Sequence, residues 1–258
     1  MYKVVFFDVD GTLLSEIDRS IPPTTIEAIE KLIEKGIKVV VATGRPYNMC
    51  EKFKMMGIDT IISANGALIK CNDKTIYKSL ISTETVREVS DFAELYGHGI
   101  SYFTERLAMN GIGPEDERIM KALRETLGLT EYPEIMGSLL DEVYCICLYA
   151  DDSETKKFID RFPTLRFERF HGYVTNVLEE TEVSKSIAIK RVLDYFNVCR
   201  SEAIAFGDGG NDIDMLELVG LGIAMGNGEE RLKQKADFIT KKASEGGISY
   251  ALKKFGVI

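Results

Sequence analysis

The chain has 258 residues, a formal net charge of -9 from 32 Lys+Arg against 41 Asp+Glu, and a hydrophobic fraction of 45%. That length suits one large domain or two small ones, with a core that needs no disulfide or structural metal. The acidic balance argues against nucleic acid and against an anionic membrane surface as partners, because both require clustered Lys and Arg. A phosphate ligand stays open, since a metal ion and backbone amides can supply a local positive field.

The N-terminal apolar run Val4–Phe7 ends in an acid and is too short for a signal-peptide core. It suits a parallel strand buried on both faces. Pro22-Pro23 and Thr24-x-x-Glu27 follow, a capping-box pattern. Ile26, Ile29 and Ile33 then recur at helical spacing, and Gly36 stands where a helix C-cap belongs. Ile37–Ala42 is a second buried strand, so the segment predicts a right-handed βαβ unit. A helix after Pro46 and a strand at Thr60–Ser63 continue the alternation. Asn65-Gly66 and Asn72-Asp73 bracket a small hairpin around Ala67–Lys70.

The texture changes near Ser82. Helices are predicted with Val86, Val89, Phe92 and Ala93 on one face, over Pro114–Leu127, and over Asp152–Phe162. Strands are predicted at Ile100–Thr104 and Val143–Tyr149, with a hairpin of Leu165–Phe170 and Tyr173–Leu178 turning at His171-Gly172. From Lys185 the first texture returns: a helix to Phe196, then short strands at Ala203–Phe206, Gly222–Ala224 and Phe238–Thr240 alternating with helices. The expected fold is α/β: a doubly wound, mostly parallel sheet made of residues 1–81 and 185–258, with an inserted α+β unit over 82–184. No stretch approaches the ~18 apolar residues of a membrane span. The cysteines, Cys50, Cys71, Cys145, Cys147 and Cys199, are odd in number and form no CxxC. They read as buried thiols outside any disulfide, in a reducing, cytoplasmic setting.

Three loops follow buried strands at their expected carboxyl ends, the edge where open parallel sheets bind ligands. They are Asp8-Val9-Asp10-Gly11-Thr12, Thr43-Gly44-Arg45-Pro46 and Gly207-Asp208-Gly209-Gly210-Asn211-Asp212. Gathering Asp8, Asp10 and Asp208 at one edge creates a like-charge clash that a hard divalent cation relieves, and carboxylate oxygens are what Mg²⁺ prefers. Calcium-loop and dinucleotide-loop alternatives fail on spacing. Leu13 and Ile213 stand where an EF-hand needs Gly, Arg19 and Val219 where it needs Glu, and Asp212 where GxGxxG needs its last Gly. Lys185 at a helix start is electrostatically odd, because helix N-termini disfavour cations. Each residue alone carries little, and their joint occurrence on one edge is the signal.

Phe6-Phe7-Asp8-Val9-Asp10-Gly11-Thr12-Leu13 resembles the first motif of the haloacid dehalogenase superfamily. Thr43 in Ala42-Thr43-Gly44-Arg45-Pro46 resembles the second, Lys185 the third, and the loop from Gly207 to Asp212 the fourth. The insert between the second and third motifs is similar to a type-two cap, and the whole chain resembles the Cof-type phosphatases. One departure is Ser186, where that subfamily usually has Gly. The resemblance implies Mg²⁺-dependent hydrolysis of a small phosphorylated metabolite, with sugar phosphates the expected class, through an aspartyl-phosphate on Asp8. Asp10 would be the acid and base. Thr43 and Gly44 would bind phosphoryl oxygens, and Lys185 would offset charge. Asp8, the backbone carbonyl of Asp10, and Asp208 would hold the metal, with Asn211 and Asp212 behind them. Arg45 and Asn65 would reach the leaving group, under a lid formed by the insert. His171, Tyr173 and Asn176 are further leaving-group candidates, although a packed hairpin explains them as well. The competing readings are a phosphotransferase or mutase on the same core, a phospho-receiver module, and a metal-dependent scaffold without turnover.

Overall fold

In the computed structural model, which describes residues 1–137 and 142–258, the chain divides into two units. Met1–Gly44, Cys50–Tyr77 and Ser184–Ile258 form the first, and Arg45–Met49 with Lys78–Val183 the second. The first unit carries strands β1 (Val4–Phe7), β2 (Lys38–Ala42), β3 (Thr60–Ser63), β4 (Leu68–Cys71), β5 (Lys74–Lys78), β11 (Ala203–Gly207), β12 (Leu221–Ala224) and β13 (Phe238–Ile239). Its helices are α1 (Pro23–Glu34), α2 (Glu51–Lys54), α6 (Lys185–Phe196), α7 (Ile213–Leu218), α8 (Glu230–Lys233) and α9 (Gly247–Lys254). The strands form one sheet in the order β13-β12-β11-β1-β2-β3-β4-β5. From β13 through β3 every pairing is parallel, and β4 runs antiparallel to β3. The chain leaves β1 toward β2 on one side and returns through β11 on the other. The topological switch point therefore lies at β1 and β11, where doubly wound sheets open a crevice.

The central strands are the continuous apolar runs of the sequence because both of their faces are covered. Val4, Phe6, Val40, Ala42, Ala203 and Ala205 join Ala188, Ile189 and Val192 of α6 and Leu216 of α7 in one cluster. Phe7 and Phe206 stack with ring centroids 5.1 Å apart.

Several local expectations are corrected. Helix α1 begins at Pro23, with Pro22 as N-cap and no side-chain cap. The Thr24–Glu27 capping box therefore does not form, because proline at the first helical position presets φ and has no N–H to satisfy. The inward face of α1 is Thr25, Ala28, Ile29 and Leu32, which leaves Ile33 exposed. After Pro46 a 3-10 turn (Tyr47–Cys50) precedes the short α2. The expected hairpin around Ala67–Lys70 is a meander of β3, β4 and β5. Asn72 and Asp73, at φ 49 and 61, make its second turn, where short polar residues tolerate left-handed backbone.

The second unit contains α3 (Thr83–Leu95), β6 (Ile100–Phe103), β7 (Leu107–Met109), α4 (Glu117–Leu127), β8 (Cys145–Tyr149), α5 (Asp152–Arg161), β9 (Leu165–His171) and β10 (Val174–Glu179). Its antiparallel sheet runs β7-β6-β8-β10-β9. Val86, Val89 and Ala93 of α3 and Phe158 of α5 cover Ile100, Ile146, Leu148 and Val177. The helix expected from Pro114 starts at Glu117, because the Asp116 carboxylate caps it by accepting from the Arg118 N–H. Segment 45–49 groups here through a bond from the Asn48 N–H to the Glu105 carbonyl. Cys145 and Cys147 share one face of β8, and both donate to the Asn176 side-chain oxygen. Four cysteines are buried, but Cys199 is exposed, contrary to expectation. No helix among the described residues is long and apolar enough to cross a membrane.

Candidate active site

Parallel pairing puts the ends of β1, β2 and β11 on one edge, so Asp8, Thr43 and Asp208 leave the sheet side by side. Lys185, the first residue of α6, reaches the same edge and is 2% exposed. Its ammonium lies 2.6 Å from Asp8 Oδ1 and 2.6 Å from Asp212 Oδ1. The second Asp212 oxygen accepts the N–H groups of Asp208 and Gly209, each at 3.0 Å. Thr12 Oγ1 donates to Asp208 Oδ1 at 3.1 Å. The carboxylates of Asp8, Asp208 and Asp212 each offer an oxygen within 4.8 Å of the others.

Local backbone makes this approach possible. Gly11 has φ +86, and a Cβ there would stand 2.2 Å from Asp208 Oδ2. Only glycine fits both the left-handed conformation and the contact. Ser184 Oγ caps α6 by accepting the Ile187 N–H at 3.1 Å, and Asp214 accepts the Ser186 N–H at 3.1 Å. These acceptors complement the helix dipole at the end where Lys185 opposes it.

The electrostatics follow from three carboxylates facing one ammonium. Burial, then the charge of Asp212, pushes Asp8 up to about 7 despite Lys185. Burial, then Asp8 and Asp212, pushes Asp208 up to about 9. Burial opposes the charge of Lys185, but Asp212 and Asp8 outweigh it and hold the ammonium firmly protonated. The cluster is short of positive charge. An all-oxygen donor set with surplus negative charge fits a hard divalent cation, so these residues suit the metal that the motifs imply.

The expected site residues are placed as follows. Asp8, Asp208, Asp212 and Lys185 come together. Asp10 is exposed, and its carboxylate accepts from the Arg19 guanidinium at 2.8 Å instead of joining the cluster. Thr43 is buried, and its carbonyl accepts the Asn65 N–H at 3.0 Å. Asn65 is buried at φ 54, and a Cβ on Gly44 would meet its side-chain oxygen at 3.0 Å. Asn211 Nδ2 lies 3.5 Å from that oxygen, so the second and third loops adjoin. Arg45 is buried and belongs to the second unit. Of the hairpin residues, His171 bonds Glu125, Tyr173 lies under the Arg118 guanidinium, and Asn176 holds the two thiols.

Sequence reasoning missed Thr12 as the orienter of Asp208, Arg19 as the partner of Asp10, and a further loop, Met225–Glu229. This loop leaves β12 at the same edge, and the Glu229 N–H donates to the Asp208 carbonyl. Its signal was available: Gly226-Asn227-Gly228 follows a buried strand, as the other loops do.

A family model described as haloacid dehalogenase-like hydrolase matches residues 5–252. YkrA of Bacillus subtilis is 32% identical over 99% of this chain and 98% of its own length. The 5-amino-6-(5-phospho-D-ribitylamino)uracil phosphatase YitU of the same organism is 27% identical over 98% of this chain and 97% of its own. Among solved structures, the HAD subclass IIB sugar phosphatase BT4131 superposes with a TM-score of 0.86 at 33% identity, covering 99% of this chain and 100% of that one.

Proposed function

The chain belongs to the haloacid dehalogenase-like hydrolases and is a phosphatase or phosphotransferase of that family; on that premise we propose that it hydrolyses phosphate monoesters of small polyhydroxylated metabolites, sugar phosphates foremost, through an aspartyl-phosphate on Asp8 with Mg²⁺ as cofactor. The observation that carries this reading is the buried ammonium of Lys185, held 2.6 Å from Asp8 beside the Asp208 and Asp212 carboxylates. The activities for which YitU and BT4131 are named support the substrate class, because a ribityl phosphate and a sugar phosphate both carry phosphate on a polyhydroxylated carbon chain.

An Asp8 oxygen attacks phosphorus, and the bond from phosphorus to the leaving oxygen breaks as Asp10 delivers a proton to that oxygen. Asp10, now a carboxylate, takes a proton from water as the water oxygen attacks the phosphoryl group. The bond to Asp8 breaks, phosphate leaves, and Asp10 is again protonated. This assignment requires the Asp10 side chain to exchange Arg19 for the leaving oxygen. The Thr43 hydroxyl and the Gly44 amide hold phosphoryl oxygens, and Lys185 balances charge on Asp8 and the transferring group. Arg45 and Asn65 are assigned to substrate binding. Asp8, the Asp10 carbonyl and Asp208 would hold Mg²⁺, with Asp212 and Asn211 orienting its shell. When bound, the ion neutralises charge on the phosphoryl oxygens.

The test is Mg²⁺-dependent release of inorganic phosphate from a broad panel of phosphorylated metabolites by the wild type and by Asp8→Asn. Abolished turnover with a cooperative unfolding transition retained is the expected result for the variant, and near-normal turnover overturns the mechanism. Isomerised substrate in place of free phosphate makes the protein a mutase.

A further inference from the structure

The loop after β12 bonds to both acid-bearing loops of the first unit. It leaves the strand with the Met225 N–H on the Gly207 carbonyl at 2.9 Å, and it turns back as the Gly228 N–H donates to the Met225 carbonyl at 2.9 Å. The Glu229 N–H then donates to the Asp208 carbonyl at 2.8 Å, and Glu229 Oε1 accepts the Gly210 N–H at 3.1 Å. Gly228 lies so close to Asp208 that a Cβ would stand 3.1 Å from its Cα. The loop thus follows the Asp208 segment by backbone contact.

Its one side-chain amide reaches the other way. Asn227 Nδ2 donates to the Gly11 carbonyl at 2.8 Å, and Asn227 Oδ1 accepts the Ala243 N–H at 2.9 Å. An amide bonded at both ends has its plane and rotamer set by the two partners. The Gly11 carbonyl belongs to the residue after Asp10, and Gly11 is the residue that abuts the Asp208 carboxylate.

We propose that Asn227 is a positioning residue that sets the spacing between the Asp8–Thr12 loop and the Asp208 loop, and so the geometry in which their oxygens receive a divalent cation. Its metal-binding arm rests on the phosphatase reading above; its effect on the first loop does not. Asparagine is required because one partner is an acceptor and the other a donor. Aspartate has the same shape and still accepts from Ala243, but it turns an oxygen toward the Gly11 carbonyl. Alanine removes both bonds.

The experiment compares wild type, Asn227→Ala and Asn227→Asp by three measurements. The first is amide hydrogen exchange without metal; the expected result is faster exchange in peptides spanning residues 8–14 in both variants, accompanied in Asn227→Ala alone by the Ala243 amide that loses its acceptor, with the rest of the first unit unchanged. The second is calorimetric titration with MgCl₂ alone, where affinity falls by about tenfold or more, as outer partners of metal sites commonly cost. The third is phosphate release, where kcat falls and the substrate KM does not. Exchange and Mg²⁺ affinity equal to wild type in both variants overturn the proposal. So does exchange that accelerates uniformly through the first unit, because that reports general destabilisation. If Asn227→Ala does not fold, the isosteric Asn227→Asp decides. A wild type without Mg²⁺-dependent phosphate release defeats the phosphatase reading, and the exchange comparison then still decides the role of Asn227.

Discussion

Lys185 stands against three carboxylates with almost no water to screen them, and that imbalance governs the residue scale. Removing one partner from a buried ionic group leaves charge uncompensated and costs about 3–5 kcal/mol. Lys185→Ala should therefore lower the unfolding free energy measured by urea titration in EDTA by that order, and added Mg²⁺ should recover part of the loss; an unchanged free energy contradicts the account. Asp208→Asn works in the opposite direction. Burial and its acidic neighbours push Asp208 up to about 9, so without metal the folded chain must take up a proton there at neutral pH; asparagine is neutral in both states and keeps an oxygen for Thr12. It should raise stability in EDTA by about 1 kcal/mol while abolishing activity, the trade expected where a site is built for function rather than stability. Unfolding curves and phosphate release measured on the same sample test both halves.

At the scale of the element, the start of α6 is the critical join. Ser184 caps it, Asp214 braces its first turn, and Gly66 passes close beneath it. Gly66 has φ +107, and a Cβ there would stand 2.4 Å from the Ser184 carbonyl oxygen. Gly66→Ala must therefore displace the helix start or strain the 3-10 turn after β3. The expected cost is about 1–3 kcal/mol, from backbone strain and overpacking. Activity per folded molecule should also fall, because Lys185 is the residue displaced. Ser184→Ala should cost about 1 kcal/mol through the lost cap. A Gly66→Ala protein with wild-type kcat would show that the turn does not position the lysine.

At the scale of the whole molecule, the proposed cation binds one unit. A ligand that binds only the folded form stabilises by about 2.7 kcal/mol at 100 times its dissociation constant. Scanning calorimetry with saturating MgCl₂ should therefore move the transition of the first unit upward and leave that of the second in place. Equal shifts of both would point to general ionic screening of the -9 charge instead.

The parallel strands and the four motifs were legible because their signals are local. A strand covered on both faces reads as an unbroken apolar run, as in Val4–Phe7 and Ala203–Phe206, and the residues at its end are its immediate neighbours in the chain. Helix α6 was legible end to end for the same reason. Short strand β7 and the true start of α1 were not, since three residues carry little period and two prolines can override a side-chain capping pattern. The sequence by itself determined that Asp8, Asp208 and Lys185 gather at one sheet edge. Tertiary structure alone decided their pairings: Asp212 in the cluster, Asp10 on Arg19, and Asn227 across to Gly11. Lys185 and Asp8 are 177 positions apart and meet at 2.6 Å only because crossovers bring β1, β11 and α6 to one place. Contacts of that kind depend on packing, which no local pattern encodes.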